Sequence, residues 1–264
     1  MIVAGIDIGS LSTEAVILKD SEIVDYNITT TGANSKNTAK KVYDDILDKT
    51  STSPSEVKYI VATGYGRISA PFANKQVTEI TCHALGINYL NPRIKTVIDI
   101  GGQDSKAIKL DEQGNVEDFV MNDKCAAGTG RFLEVMAEAL EVSIDDFSHT
   151  AERVKKSIPI SNMCAVFAES EVVSLIAEGN DKGEIIRGLA EAIGDRTEGF
   201  AHRINLEKPI AMTGGVAKNK GIVKVLEERF NSSIFIPEEP QLVGALGAAI
   251  KANKLAKKTL NQEW

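Results

Sequence analysis

The sequence predicts a duplicated α/β fold of two lobes, and three observations carry that prediction. The tripeptide Asp-Ile-Gly occurs twice, at Asp7–Gly9 and at Asp99–Gly101, each time at the end of a short apolar, β-branched run. Each copy is followed by a glycine turn and a second apolar run, and the strand-strand-strand-helix pattern that begins at Ile2 begins again at Lys95. No Ser/Pro-rich linker divides the 264 residues, a length sufficient for two lobes that each bury a core. The duplication itself therefore sets the expected division: an N-terminal lobe over 1–93 and a C-terminal lobe over 94–264.

Along the first copy, the pattern predicts strands over 2–8, 14–18 and 22–29, with turns near Ser10 and Asp20. A helix over 36–49 follows, capped by Asn34 or Ser35, then a strand over 57–62 that runs into Thr63-Gly64-Tyr65-Gly66-Arg67 and a helix over 78–90. The second copy predicts strands over 95–100, 105–110 and 115–121, and helices over 129–140, 165–178 and 184–204. The last stretch predicts a strand over 208–212 ending in Thr213-Gly214-Gly215, a helix over 217–230, a strand over 233–236 and a closing helix over 242–257. Gly244 and Gly247 on that alanine-rich closing helix suit close helix–helix contact at a hinge, or a tightly packed helix without one.

A net charge of −7, with Lys and Arg dispersed, argues against a nucleic-acid or membrane-surface partner. No run approaches the ~20 apolar residues that span a bilayer, and the chain opens directly into a strand, so a cytoplasmic location is expected. Three cysteines, an odd number, suit a reducing compartment in which metal binding or core packing explains a cysteine better than a disulfide does.

The Asp-Ile-Gly turns carry the first chemical argument. A carboxylate at a strand end, then a glycine turn with hydroxyls, is how a β-hairpin wraps a phosphate and its metal: glycine lets backbone N–H groups approach phosphate oxygens, and carboxylates hold Mg²⁺ through its waters. The first copy offers Gly9, Ser10, Ser12 and Thr13; the second offers Gly101, Gly102, Gln103, Asp104 and Ser105. Thr213-Gly214-Gly215 stands where a base or ribose can lie against backbone, and Gln241 begins the closing segment. In this order, the elements resemble the ATPase superfamily shared by actin, sugar kinases and heat-shock chaperones, which implies ribonuclease H-like lobes. The resemblance further implies that Asp7 and Asp99 organise Mg²⁺ and the attacking water, and Asp104 is a further candidate for metal and water positioning. Ser10, Ser12, Gly101 and Gly102 would hold phosphates and Gly214 and Gly215 border the nucleoside, with Gly9, Thr13, Gln103 and Gln241 as further nucleotide-binding candidates.

Cys125 lies in Asn-Asp-Lys-Cys-Ala-Ala-Gly-Thr-Gly-Arg-Phe (122–132) and Cys164 in Ser-Asn-Met-Cys-Ala-Val-Phe-Ala-Glu-Ser-Glu (161–171), both just before or within the first turn of a predicted helix. That position favours a thiolate by ~0.3–1 kcal/mol, and thiolate is the form that binds metal. Free cysteine is commonly buried, but Asn122, Asp123, Lys124, Gly128, Gly130, Ser161 and Asn162 are poor core material. Two thiolates make an incomplete site for a cubane cluster; a twofold dimer would supply four, and zinc could be held the same way. Cys82 lacks such neighbours and reads as a packed thiol, with His83 beside it a satisfied or surface histidine; His149 and His202 have no accompanying pattern.

The two cysteine segments, with Asp-Ile-Gly-Gly-Gln-Asp (99–104), Ala-Thr-Gly-Tyr-Gly-Arg (62–67) and Met-Thr-Gly-Gly-Val-Ala (212–217), resemble the activators, or ATP-dependent reductase components, of 2-hydroxyacyl-CoA dehydratases. That family includes benzoyl-CoA reductase ATPase subunits and the reductases of double-cubane cluster proteins. The resemblance implies a homodimer with one 4Fe-4S cluster held by Cys125 and Cys164 of each subunit, and ATP or ADP with Mg²⁺ in each. A ferredoxin or flavodoxin would supply electrons, and a partner iron-sulfur enzyme would receive them. Glu169 and Glu171 lie near enough to Cys164 in sequence to couple the nucleotide switch to the cluster, and for Glu169 an exposed helix carboxylate is the alternative. The chain departs from the family pattern at Leu11 and Glu14, where such activators tend to carry a hydroxyl residue and a lysine, and at Met163 and Ala165, where dehydratase activators tend to carry threonines. Two alternatives stay open: a small-molecule kinase of the same fold, and a non-enzymatic, actin-like or zinc-bridged assembly with ATP as a structural ligand.

Overall fold

The computed structural model describes residues 1–161 and 164–260; Asn162 and Met163 lie outside the described residues. In chain order the elements begin β1 (Ile2–Ile8), β2 (Ser12–Lys19), β3 (Glu22–Thr30), α1 (Ser35–Lys49), β4 (Val57–Thr63), β5 (Lys75–Gln76) and α2 (Glu79–Leu90). They continue β6 (Thr96–Ile100), β7 (Ser105–Leu110), β8 (Val116–Asn122), α3 (Gly130–Ala139), α4 (Ile144–Arg153), α5 (Ala165–Ala177) and α6 (Lys182–Arg203). The chain closes with β9 (Ile210–Thr213), α7 (Lys220–Phe230), β10 (Ile234–Phe235) and α8 (Val243–Leu260). Two units result: Met1–Ile94 with Leu110–Val116 and Gln241–Trp264, and Lys95–Lys109 with Glu117–Pro240. The contiguous division expected from sequence, 1–93 and 94–264, put the closing helix in the second lobe; in the structure α8 groups with the first.

In the first unit the sheet runs β3-β2-β1-β4-β5, with β1 antiparallel to β2 and parallel to β4. Apart from Ile2, every residue of β1 is buried, because both faces of the strand are covered. Ile6, Ile8, Ala15 and Ile17 face α1, which buries Ala39, Val42, Tyr43, Ile46 and Leu47, the i, i+3, i+4, i+7, i+8 stripe of a surface helix. Burying each large aliphatic side chain here contributes about 1.5–3 kcal/mol. Asn34 proves to be the cap of α1, its side chain accepting from the Asn37 N–H at 3.1 Å. Val3, Val16, Leu18 and Val61 pack with Cys82 of α2 and with Ala245, Ala248 and Ala249 of α8. The helices approach so closely that a Cβ on Gly247 would overlap the Cys82 carbonyl, which is the packing reason for a glycine in this helix.

In the second unit the order β8-β7-β6-β9-β10 repeats β3-β2-β1-β4-β5 element for element, with β6 antiparallel to β7 and parallel to β9. The chain is thus a duplicated ribonuclease H-like fold. Ile98, Ile100 and Met212 of this sheet meet Phe132, Phe147 and Leu189 in one core. Two elements here or in the first sheet were not expected from sequence. β5 is only a two-residue strand, and α4 is capped by Ser143, which accepts from the Asp146 N–H at 3.0 Å. Phe147 and Ala151, one turn apart on α4, are fully buried.

Arg187 of α6 is only 5% exposed and bonds Glu191 at 2.6 Å and Glu228 of α7 at 2.5 Å. The hydrogen bond from Arg187 holds the Glu228 carboxyl below its usual range. A depressed carboxylate contributes stability that is complete above its unfolded-state pKa and is lost as pH falls through the folded value. Arg187→Met is therefore expected to cost roughly 1–3 kcal/mol at neutral pH and to flatten the acid limb of a melting-temperature profile. Thermal melts of both proteins down to about pH 3 check this; parallel acid limbs would show that the pair carries no pH-dependent stability.

Candidate nucleotide and metal sites

Asp7 ends β1 and Asp99 ends β6, and the two sit in the same local frame. Asp7 pairs in register with Glu14 on β2 and Thr63 on β4; Asp99 pairs with Lys106 on β7 and Thr213 on β9. The glycine after each threonine has a left-handed backbone, φ 86° at Gly64 and 82° at Gly214, a conformation that suits glycine. Both aspartates are buried, at 8% and 3% exposure, so each carboxylate is held by protein rather than water.

Each hairpin turn closes on itself. The Gly9 N–H donates to the Ser12 carbonyl at 2.9 Å and the Gly101 N–H to the Asp104 carbonyl at 3.0 Å. Those two donors are committed, which leaves Ser10 with Leu11, and Gly102 with Gln103, as the turn positions a phosphate could meet. Ser12 receives a hydrogen bond from the Gln241 side chain at 3.1 Å, so these two expected site residues meet. Thr13 is placed differently from its expected role. It is fully buried, its hydroxyl shares a 2.8 Å hydrogen bond with Thr31, and Thr31 donates to the Gly9 carbonyl at 2.9 Å. Thr13 braces the turn from behind.

The Asp7 carboxylate is wedged against α8. A Cβ on Gly244 would overlap Asp7 Oδ2 and lie 3.3 Å from His83 Nε2. His83 is buried on α2, not a surface group, and it shares this corner with Asp7. Gly244→Ala is accordingly expected to displace the carboxylate, lowering ATP hydrolysis at least ~10-fold and stability by about 1–3 kcal/mol. Hydrolysis rates and melting curves on the variant check it, and unchanged hydrolysis would mean that Asp7 does not act from this position.

In the second unit Asp99 Oδ2 lies 2.9 Å from the Lys106 ammonium, and Asp99 Oδ1 accepts from the Thr213 hydroxyl at 2.8 Å. Lys106 also lies 2.9 Å from Asp104 Oδ2. Lys106 stands in none of the sequence motifs, and Thr213, expected only beside the base or ribose, instead bonds Asp99. Gly214 donates its N–H to the Pro240 carbonyl at 3.1 Å, and Gly215 starts a short 3₁₀ turn that leads to α7. The first two residues of α3 dock on the same hairpin: Gly130 N–H to Gly101 carbonyl at 2.9 Å, and Arg131 N–H to Gly102 carbonyl at 2.8 Å.

Cys125 and Cys164 are both exposed, whereas Cys82 is buried and burial pushes its thiol up to about 12. Cys164 is the residue immediately before α5, with an extended backbone. Cys125 lies farther from its helix than expected, in the turn that precedes α3, where its carbonyl accepts from the Asn122 side chain at 2.6 Å. Glu171 grips the approach to Cys164, accepting from the Ser161 N–H and hydroxyl, each at 2.8 Å; Glu169 is exposed. Among the described residues no group of three or more His, Cys, Asp or Glu side chains could hold a metal ion. Likewise no helix among them is long and apolar enough to cross a membrane.

Strand-end aspartates with self-closing glycine turns are repeated on a duplicated ribonuclease H-like fold, and the matching family model makes the chain one of a class of ATPases. The chain belongs to the BadF/BadG/BcrA/BcrD ATPase family, whose model matches residues 4–252. It is 46% identical to the activator of lactoyl-CoA dehydratase of Anaerotignum propionicum, over 98% of this chain and 100% of that protein. It is 40% identical to the 2-hydroxyisocaproyl-CoA dehydratase activator of Clostridioides difficile, over 98% and 97%. The crystal structure of component A of the (R)-2-hydroxyglutaryl-CoA dehydratase of Acidaminococcus fermentans superposes with a TM-score of 0.93 at 42% identity, covering 97% and 99% of the two chains.

Proposed function

We propose that this protein is an ATP-hydrolysing activator that delivers single low-potential electrons to a partner iron-sulfur enzyme, such as a 2-hydroxyacyl-CoA dehydratase or a double-cubane cluster protein. Its relatives named as dehydratase activators support the partner class, and their identity over the whole chain weighs against the small-molecule kinase. The observation that carries the redox reading is the pair of exposed thiols at Cys125 and Cys164, in contrast to the buried Cys82. One chain presents two thiols, and a 4Fe-4S cluster takes four, so the donor set fits the cluster when a second subunit contributes the same pair in a homodimer. The cluster, when bound, supplies one-electron storage; a ferredoxin or flavodoxin would be the donor.

In this reading Asp7, Asp99 and Asp104 organise Mg²⁺ and the attacking water, and Ser10, Ser12 and the Gly101–Gln103 turn hold phosphates. Gly214 and Gly215 border the nucleoside, and Gln241 is a further nucleotide-binding residue. A physical link then joins nucleotide to thiol: Gly101 and Gly102 accept from the first residues of α3, and the Cys125 turn leads directly into that helix. A phosphate that shifts the Gly101–Gly102 turn would shift the start of α3 with it. Iron and acid-labile sulfide on anaerobically purified protein, measured beside its mass in solution, test the proposal. About four of each per dimer are expected; neither, even after reconstitution, would favour the kinase or a structural ATP-binding assembly.

A further inference from the structure

The duplicated hairpins differ in charge at one matched position. Glu14 stands directly opposite Asp7, and Lys106 stands directly opposite Asp99. Both are buried, Glu14 at 3% and Lys106 at 2% exposure. A lysine loses its hydration when buried that deeply, and it is stable there only with close carboxylate partners. Lys106 has two, Asp99 Oδ2 and Asp104 Oδ2, each at 2.9 Å. Asp99 Oδ1 is taken by the Thr213 hydroxyl at 2.8 Å. Asp104 in turn is tied to the turn itself, since its carbonyl closes the Gly101 N–H.

We propose that Lys106 is the built-in counter-ion of the second hairpin. Its ammonium sits between the Asp99 and Asp104 carboxylates in the place that a divalent cation bridging them would take. It acts as a positioning residue: it orients both carboxylates without touching the reacting atoms, and it keeps the nucleotide-free hairpin from collecting metal. Metal then reaches Asp99 only with the phosphates that carry it, through its water shell, because an ammonium already at hydrogen-bond distance opposes direct coordination. A pair of carboxylates without that ammonium is the donor set that hard divalent cations favour. This inference rests on the ATPase reading for the consequence to hydrolysis, but its metal-exclusion half stands on the hairpin alone.

The test is Mn²⁺ binding to the nucleotide-free, full-length protein, followed by electron paramagnetic resonance of free Mn²⁺. Lys106→Met is expected to gain one Mn²⁺ per chain, at least ~10-fold tighter than any site in the wild type, and Lys106→Met with Asp99→Asn is expected to lose it again. Lys106→Arg keeps the charge and is expected to exclude Mn²⁺ as the wild type does. A Lys106→Met protein that is folded and gains no Mn²⁺ would overturn the proposal. The wild type provides an independent check should that variant not fold: one Mn²⁺ per chain that is abolished by Asp99→Asn would also overturn it. ATP binding measured by calorimetry on the same samples keeps the two readings apart. Absence of ATP binding in the wild type would count against the ATPase function and leave the Mn²⁺ result to decide the role of Lys106.

Discussion

Cys125→Ala is expected to lose the iron and acid-labile sulfide entirely while binding ATP within about twofold of the wild type. The first half follows from ligand number. Removing one thiol from each subunit leaves two of the four that a cubane cluster takes. The second half follows from what holds the segment in place. Cys125 is exposed, so truncating it opens no cavity, and surface substitutions of this kind usually move stability by less than about 0.5 kcal/mol. The Asn122 side chain bonds the backbone carbonyl of Cys125, and α3 docks on the hairpin through the backbone N–H groups of Gly130 and Arg131; an alanine keeps all three contacts. Metal analysis, visible absorbance and ATP calorimetry on anaerobic samples decide the matter. An affinity for ATP reduced tenfold or more would mean that nucleotide and thiols form one site rather than two linked ones.

Both sheets were legible in the sequence because the chemistry repeats. The two Asp-Ile-Gly copies mark matched strand ends, and the strands around them lie where the alternation of apolar runs puts them, to within a residue or two. α1 was legible for a different reason: its apolar stripe is complete and its cap is a good one. What was missed was short or stabilised by remote packing. β5 has two residues and no local pattern to detect. α4 did carry a signal, Ser143 with Asp146 three residues on, followed by Phe147 and Ala151 at helical spacing, but it is a ten-residue helix whose buried face is completed by packing on α7.

The site divides in the same way. Asp7 and Asp99 could be read from their motifs, whereas the partners of Asp99 required the register. Lys106 is seven residues away on the facing strand, and Thr213 comes from a strand 114 positions later. A clue was available for the threonine, since Thr63-Gly64 and Thr213-Gly214 are a second duplicated pair, one beside each aspartate. Thr13 shows the converse. Hydroxyls near a glycine turn suggest phosphate donors, but alternation along β2 turns this one inward to Thr31. His83 likewise looked ordinary until α8 laid Gly244 across it and Asp7.

Asp99→Asn is expected to slow ATP hydrolysis by ~10²–10³-fold while leaving iron content and colour unchanged. Asparagine has nearly the shape of aspartate and retains a carbonyl oxygen that can accept from Lys106 or from Thr213, so the packing around a residue that is 3% exposed is preserved. What disappears is the negative charge beside the lysine. Lys106 keeps Asp104 at 2.9 Å, so its ammonium is not stranded, and the loss in stability is expected to stay well below that of an unpaired buried charge, about 3–5 kcal/mol. The hydrolysis defect is therefore separable from unfolding. Charge stabilisation acts most strongly where water is excluded and charge develops along the reaction, so the rate should fall far more than the affinity for ATP. Single-turnover hydrolysis, ATP calorimetry and iron analysis on one preparation distinguish the cases. A rate within tenfold of the wild type would remove Asp99 from the hydrolytic machinery and leave Asp7 as the aspartate to test, whereas loss of iron would show that the cysteine turn depends on this hairpin more strongly than the two backbone bonds to α3 suggest.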